Sequence, residues 1–201
     1  MNVQHTLGEF VSALEHAKLN VSHSLNDELL RTPVSCLTYD TRTLCPQALF
    51  ICKGVHFKEE YLYDAFHLGA IAYVAESPYS FDAPHILVDD IRFAMVVLGQ
   101  LFYHHVTQAL TSIGITGTKG KSTTAYYMRT VLNNWLTANG KKECAILSSI
   151  DNYDGVIQEE SHITTPEVLE IYQHFQNALD SGLSHLVMEV SSPALKYGRV
   201  R

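Results

Sequence analysis

The stretch Ser112-Ile-Gly-Ile-Thr-Gly-Thr-Lys-Gly-Lys-Ser-Thr-Thr124 concentrates residue types that hold phosphate. Gly117 and Gly120 allow backbone conformations closed to residues with a β-carbon, so successive N–H groups can converge on phosphate oxygens. A helix opening at Lys121 adds its own unpaired N–H groups and roughly half a positive charge at the same spot. Lys121 then supplies a full charge to the terminal phosphates of a nucleotide, and the Ser122 hydroxyl can ligate Mg2+. The strict P-loop formula G-x-x-x-x-G-K-[ST] is missed by one place, because the residue five before Gly120 is Ile115 and the glycine stands at 114. The plainer alternative is a glycine-rich strand-to-helix connection carrying two solvated lysines.

A second element points to the same chemistry. The strand His185–Val190 runs into Met188-Glu189-Val190-Ser191-Ser192, and ligands of open parallel sheets gather beyond the carboxyl ends of strands. If this strand neighbours the one before the glycine loop, Glu189 emerges beside that loop. Mg2+ bound to ATP phosphates usually takes one or two protein carboxylates. The alternative is an acidic strand end at the surface. Thr164-Thr165-Pro166-Glu167 reads locally as a helix start, with Thr165 as N-cap, Pro166 at the first helical position and an acid in the first turn. The eleven histidines, His104-His105 among them, lack metal-ligand spacing.

These residues need a frame to position them. Leu7, Phe10, Val11, Leu14 and Ala17 recur at helical spacing across 6–17. Short β-rich runs follow at 34–39 and 48–52, separated by a polar turn around Asp40, Arg42 and Pro46. A helix at 58–68, strands at 70–75 and 85–88, and a helix from Ile91 to about His105 complete the first half. A joint at 106–111 divides the chain into domains at 1–108 and 109–201. The second domain reads as strand 110–116, glycine loop, helix 121–136, strand 143–148, a polar loop with Asp151, Asn152, Asp154 and Gly155, helix 166–179, and strand 185–190. Strands separated by helices predict an α/β fold with parallel pairing and right-handed crossovers.

Composition bounds the function classes. The 201 residues are 46% hydrophobic and 17% charged, values of an ordinary globular chain and not of a disordered one. Fourteen basic against 21 acidic side chains, a net charge of −7, argue against nucleic acid gripped through many phosphates. No apolar run reaches the ~20 residues that span a bilayer, and the first residues lack the pattern of a secretory signal, so the expectation is a cytoplasmic protein with no membrane partner. Cys36, Cys45, Cys52 and Cys144 form no CxxC and read as buried thiols.

Three ordered segments, GITGTKGKSTT at 114–124, ITTPE at 163–167 and MEVSSPALKYGRV at 188–200, resemble the central domain of the Mur ligases, and among them the UDP-N-acetylmuramoyl-tripeptide synthetases. The stretch YDTRTLCPQALFICKGVHFKEEYLYDAFHLGAIAYVAES at 39–77 is similar to their UDP-binding domain, notably that of the lysine-adding enzymes of Gram-positive bacteria, with KGxxFKxEYL. The resemblance implies a small N-terminal UDP-binding α/β domain followed by the first part of a P-loop-type parallel-sheet ATPase domain. It implies that Gly117, Thr118, Lys119, Gly120, Lys121, Ser122 and Thr123 hold ATP, that Lys121 and Glu189 are catalytic, and that Ser122 and Glu189 ligate Mg2+. UDP-MurNAc-dipeptide is expected to meet Thr41 and, at its uridine end, Val55, His56 and Phe57. Nearer the muramoyl peptide the contacts implied are Thr164, Thr165, Ser191, Tyr197 and Arg199. Thr41 replaces the family's usual serine and keeps the hydroxyl, whereas Pro193 stands where many members have histidine.

The activity implied is ATP-dependent amide formation through an acyl phosphate, with an amino acid, lysine by resemblance, as the second small-molecule substrate. The family pattern calls for more central domain and a further domain beyond Arg201, so the expectation is an N-terminal portion, inactive alone, with an unpaired sheet edge. Competing readings are a folylpolyglutamate-type ligase, a non-catalytic UDP-precursor-binding module, and a P-loop kinase or GTPase. The last lacks any Asp-x-x-Gly or Asn-Lys-x-Asp signal.

Overall fold

Helix–strand alternation resolves into two five-stranded sheets, one in each of two units, Met1–Phe102 and Tyr103–Arg201. The computed structural model describes residues 4–54 and 57–201.

In the first unit, α1 (Leu7–His16) opens on a reciprocal cap: the Thr6 N–H donates to the Glu9 carboxylate at 2.7 Å, and the Glu9 N–H donates to the Thr6 hydroxyl at 3.4 Å. Its periodic residues Leu7, Phe10, Val11 and Leu14 are buried. Then follow β1 (Ser22–His23), α2 (Asp27–Leu30), β2 (Cys36–Thr38), a 3-10 turn (Thr41–Thr43), β3 (Ala48–Ile51), α3 (Glu60–His67), β4 (Ala70–Ala75), β5 (His85–Leu87) and α4 (Ile91–Phe102). The sheet order is β1-β5-β4-β3-β2, parallel from β2 to β5, with β1 antiparallel on β5. All four residues of β3 are buried, as suits an apolar strand inside a parallel sheet. The two-residue β1 and the single turn α2 have no apolar period and are not expected from the sequence. Helix α4 ends at Phe102, three residues before the expected end, because His104 and His105 take left-handed φ values of 49° and 55° that cannot continue a right-handed helix. Cys52 and Cys144 are buried, whereas Cys36 and Cys45 are only partly so, which corrects the expectation of four buried thiols.

The second unit comprises β6 (Thr111–Ile115), α5 (Lys121–Ala138), β7 (Ala145–Leu147), β8 (Asp151–Tyr153), β9 (Gln158–Glu160), α6 (Val168–Asp180), β10 (His185–Glu189) and α7 (Ser192–Lys196). Its order is β6-β10-β7-β8-β9: β6, β10 and β7 are parallel, with β10 in the middle, and β8–β9 is an antiparallel hairpin. The stretch expected as a polar loop is therefore part of the sheet. Its acids are satisfied there: the Tyr126 hydroxyl of α5 donates to Asp151, and buried Asp154 accepts from the Val156 and Ile157 N–H groups at 2.9 and 2.6 Å, whereas buried Asn152 Oδ1 takes no hydrogen bond among the described residues.

Period-two alternation sorts the faces of β10. Val187 packs with Ala125 and Leu136 of α5 on one side, and Met188 joins Phe175 of α6 in lining a cavity of about 310 Å³ on the other. Glu189 shares Val187's face, the α5 side.

Candidate functional site

Strand β6 delivers the chain into the glycine loop, and α5 begins at once after it. Gly117 has φ 151° and Gly120 has φ 76°. A β-carbon at Gly120 would meet nothing within 4 Å, so glycine is required there by backbone conformation and not by space. Gly120 is the N-cap of α5 and no side chain caps that end, which leaves the first N–H groups at Lys121, Ser122 and Thr123 without a side-chain acceptor. Thr118, Lys119 and Thr123 are exposed around this opening. Lys121 folds back so that its Nζ donates to the Gly117 carbonyl at 3.0 Å. The result is an electropositive strand end: amides, a helix N-terminus and two lysines at the carboxyl end of a parallel strand.

The register brings Glu189 to it. Glu189 of β10 pairs with Ile115 of β6, and the Val190 N–H donates to the Ile115 carbonyl at 2.8 Å. Glu189 is 1% exposed, yet its carboxylate is linked to the loop. The Ser149 N–H and hydroxyl both donate to Glu189 Oε1, at 3.0 and 3.1 Å, and the Ser149 hydroxyl is 2.9 Å from that of Ser122. Glu189 Oε2 takes no hydrogen bond among the described residues.

The donor set here is hard oxygen only: one carboxylate, with one free oxygen, and the Ser122 hydroxyl. That suits Mg2+, which prefers few protein ligands and completes its shell with phosphate oxygens and water. Among the described residues no group of three or more His, Cys, Asp or Glu side chains could hold a metal, so a cation here would depend on the nucleotide for its remaining ligands.

A second cluster adjoins Glu189 through its main chain. The Thr165 hydroxyl donates to the Glu189 carbonyl at 2.9 Å, accepts from the Ser191 N–H at 2.9 Å and lies 3.2 Å from the Ser191 hydroxyl. Thr165 is therefore not the cap of α6. Glu167 is, and the helix starts at Val168, two residues later than the sequence indicates, because the Thr165 hydroxyl is committed to β10. Ser191 caps the short helix α7 instead, accepting from the Ala194 N–H at 3.3 Å. Arg199 donates to the Thr165 carbonyl at 3.1 Å and pairs with Glu167 at 2.5 Å. Thr164 stands beside this group half-buried, and Tyr197 is 40% exposed at the end of α7, with the Lys196 ammonium 5.5 Å over its ring. Pro193 lies in the first turn of α7.

In the first unit Thr41 begins the 3-10 turn, held by Asp40, which accepts from the Arg42 N–H at 2.9 Å and from its guanidinium at 2.5 to 3.0 Å. That guanidinium holds the Asp40 carboxyl below its usual range. Phe57 sits among Phe50, Tyr61 and Tyr79, with ring centroids at 6.3, 5.8 and 5.4 Å. Val55 and His56 lie outside the described residues.

Ser149 is the residue that the sequence reading misses. Its signal was available: Ser148-Ser149 follow the apolar strand β7, so the strand-end rule applied to Glu189 applies to it as well.

Residues 115–201 match the Mur ligase middle domain. The chain is 44% identical over 171 residues to the UDP-N-acetylmuramyl-tripeptide synthetase of Bifidobacterium longum, covering 84% of this chain and 32% of that protein. It is 41% identical over 179 residues to the UDP-N-acetylmuramoyl-L-alanyl-D-glutamate--L-lysine ligase of Enterococcus faecalis, covering 88% of this chain and 34% of that one. The whole chain aligns at 38% identity with the tripeptide synthetase of Lactobacillus delbrueckii subsp. bulgaricus, covering 38% of it. The chain thus spans about a third of the length of the curated relatives it matches.

Among solved structures, a UDP-N-acetylmuramoyl-L-alanyl-D-glutamate--2,6-diaminopimelate ligase superposes with TM-score 0.72 at 19% identity, over 98% of this chain and 38% of the other. MurF from Acinetobacter baumannii gives 0.55 at 18%, over 94% and 36%. These bear out the α/β fold, and the resemblance to Mur ligases of the tripeptide synthetase type is borne out over the portion the chain spans. Among the described residues no helix is long and apolar enough to cross a membrane.

Proposed function

We propose that this stretch of a Mur ligase binds ATP and a UDP-linked muramoyl dipeptide for a ligation that adds an amino acid, L-lysine, to the dipeptide. The observation that most supports it is the link from the glycine loop to the buried carboxylate, Ser122 to Ser149 to Glu189. A buried acid tied to a phosphate-binding loop has a role where phosphate and a cation meet, and little reason to be there otherwise.

In the reaction, the substrate carboxylate attacks the γ-phosphorus of ATP, giving an acyl phosphate and ADP. The amine of the incoming amino acid then displaces phosphate and forms the amide. Both partners of the first step are anions, so catalysis rests on charge compensation and alignment and needs no side-chain nucleophile. The N–H groups of residues 117 to 123 hold the phosphate oxygens. Lys121 exchanges its contact with the Gly117 carbonyl for the terminal phosphates. Ser122 and Glu189 would hold Mg2+, which supplies positive charge to the β- and γ-phosphates when bound. Thr165, Ser191 and Arg199 border the same strand end, where the dipeptide carboxylate must arrive, and Thr41 and Phe57 serve the uridine end.

Calorimetric titration of this chain with Mg2+ and ATP tests the reading. Saturable ATP binding is expected, and its absence overturns the proposal. In a protein of the relatives' full length, ADP release should require both UDP-MurNAc-L-Ala-D-Glu and lysine, with diaminopimelate a poor replacement.

A further inference from the structure

Ser149 donates twice to one oxygen of a buried carboxylate, and those bonds fix the direction of a third. A carboxylate only accepts, so the Ser149 hydroxyl proton is committed to Glu189 Oε1 at 3.1 Å, alongside the Ser149 N–H at 3.0 Å. The contact of 2.9 Å between the Ser149 and Ser122 hydroxyls must then have Ser122 as donor and the Ser149 oxygen as acceptor. Two consequences follow. Glu189 is turned so that Oε2 is left without a partner on a residue that is 1% exposed. The Ser122 proton points at Ser149, leaving the Ser122 lone pairs for another acceptor of electron density.

We propose that Ser149 is the positioning residue of the cation site: a hydrogen-bond chain Ser122→Ser149→Glu189 presents one carboxylate oxygen and one hydroxyl oxygen, both lone-pair outward, to a divalent cation carried by the nucleotide. This rests on the reading of the loop as an ATP site and goes further, because it assigns the orientation of both ligands to a residue just beyond the end of a third strand, β7. The design has a physical logic. A buried carboxylate with both oxygens free would be costly to keep desolvated, and one with both oxygens satisfied could not bind a cation. Two donors from one serine satisfy half of it.

The test uses the 201-residue chain with three forms: wild type, Ser149→Ala and Ser149→Thr. ATP affinity is measured by calorimetry across a Mg2+ titration and in excess chelator, and Mn2+ binding with a non-hydrolysable ATP analogue is followed by electron paramagnetic resonance. Ser149→Ala should raise the half-saturating Mg2+ concentration roughly tenfold, the loss of one hydrogen bond to a charged group, and should broaden the Mn2+ signal. ATP affinity in chelator should match wild type, a split that general loosening of the fold would not produce. Ser149→Thr keeps the hydroxyl and should stay close to wild type. An unchanged Mg2+ requirement in Ser149→Ala overturns the proposal, as does a Thr variant as weak as the Ala one. Wild-type protein that binds ATP equally with and without Mg2+ also overturns it, while leaving the phosphate cradle standing. Wild-type protein with no ATP affinity overturns the underlying reading and this inference with it.

Discussion

Lys121 folds over its own loop, donating to the Gly117 carbonyl at 3.0 Å. A lysine held that way is already close to where a terminal phosphate would lie, and needs only to trade a neutral acceptor for a charged one. Lys121→Ala should therefore weaken ATP binding by about 1.5–3 kcal/mol, the worth of a charged hydrogen bond, with the urea midpoint nearly unchanged because the side chain is not buried. Calorimetry and urea titration separate the two. Gly120 behaves oppositely. With φ 76° and open space around it, Gly120→Ala pays only the left-handed backbone cost of about 1–2 kcal/mol. It should lower stability by that amount and also weaken ATP binding, since relief of the strain moves the N–H groups that follow. An alanine variant with full affinity would mean that those amides do not hold the phosphates.

At the scale of elements, what could be read in the sequence and what could not divide along a physical line. Gly117, Gly120, Lys121 and Ser122 are legible because a phosphate loop is local: its donors are consecutive. Glu189 is legible because an apolar strand ends in it. Thr165 is misread as a cap because its hydroxyl has a partner 24 residues away, the Glu189 carbonyl, and a tertiary acceptor outweighs a local one. Strands β8 and β9 are missed because Asp151-Asn152-Tyr153 and Gln158-Glu159-Glu160 carry no apolar alternation; the hairpin is held by polar groups instead. Its anchor is Asp154, fully buried, accepting from the Val156 and Ile157 N–H groups, from Asn177 at 2.8 Å and from His174 at 2.7 Å. A carboxylate only accepts, so His174 Nδ1 carries the proton. Burial opposes the Asp154 charge, but the Ile157 N–H, His174, Asn177 and the Val156 N–H outweigh it, and the carboxyl sits below its ordinary value of 3.8. A depressed folded-state pKa contributes stability that is present above the ordinary value and lost as pH falls through the folded one. Acid should thus loosen this hairpin below about pH 4, and hydrogen exchange of β8 and β9 amides at pH 3 against pH 7 reads it. Asp154→Ala should cost about 3 kcal/mol at pH 7, as for a broken buried pair, and flatten the acid dependence. A variant that keeps the wild-type acid dependence would place the titrating group elsewhere.

For the whole molecule the question is how a chain of net charge −7 takes up two anionic ligands. The long-range field opposes both, so attraction must come from short-range donors, and those donors fall in separate units. The glycine loop, Lys121 and Arg199 belong to Tyr103–Arg201, whereas Thr41 and Arg42 belong to Met1–Phe102. Each unit has its own sheet and its own buried cluster, and a ligand stabilises the unit whose folded form it binds. ATP with Mg2+ at a hundredfold excess over its Kd should add about 2.7 kcal/mol to the opening free energy of the unit that holds it. In hydrogen exchange that gain should appear in the amides of β6, β7 and β10 and be absent from β3 and β4. UDP alone, which carries only the uridine end of the precursor, should reverse the pattern. Protection by ATP spread equally over both sheets would mean that the units open as one, and linkage would then no longer tell which unit holds which ligand. Protection confined to β3 and β4 would move the nucleotide to the wrong unit, and no arrangement of Lys121, Ser122 and Glu189 could then account for its binding.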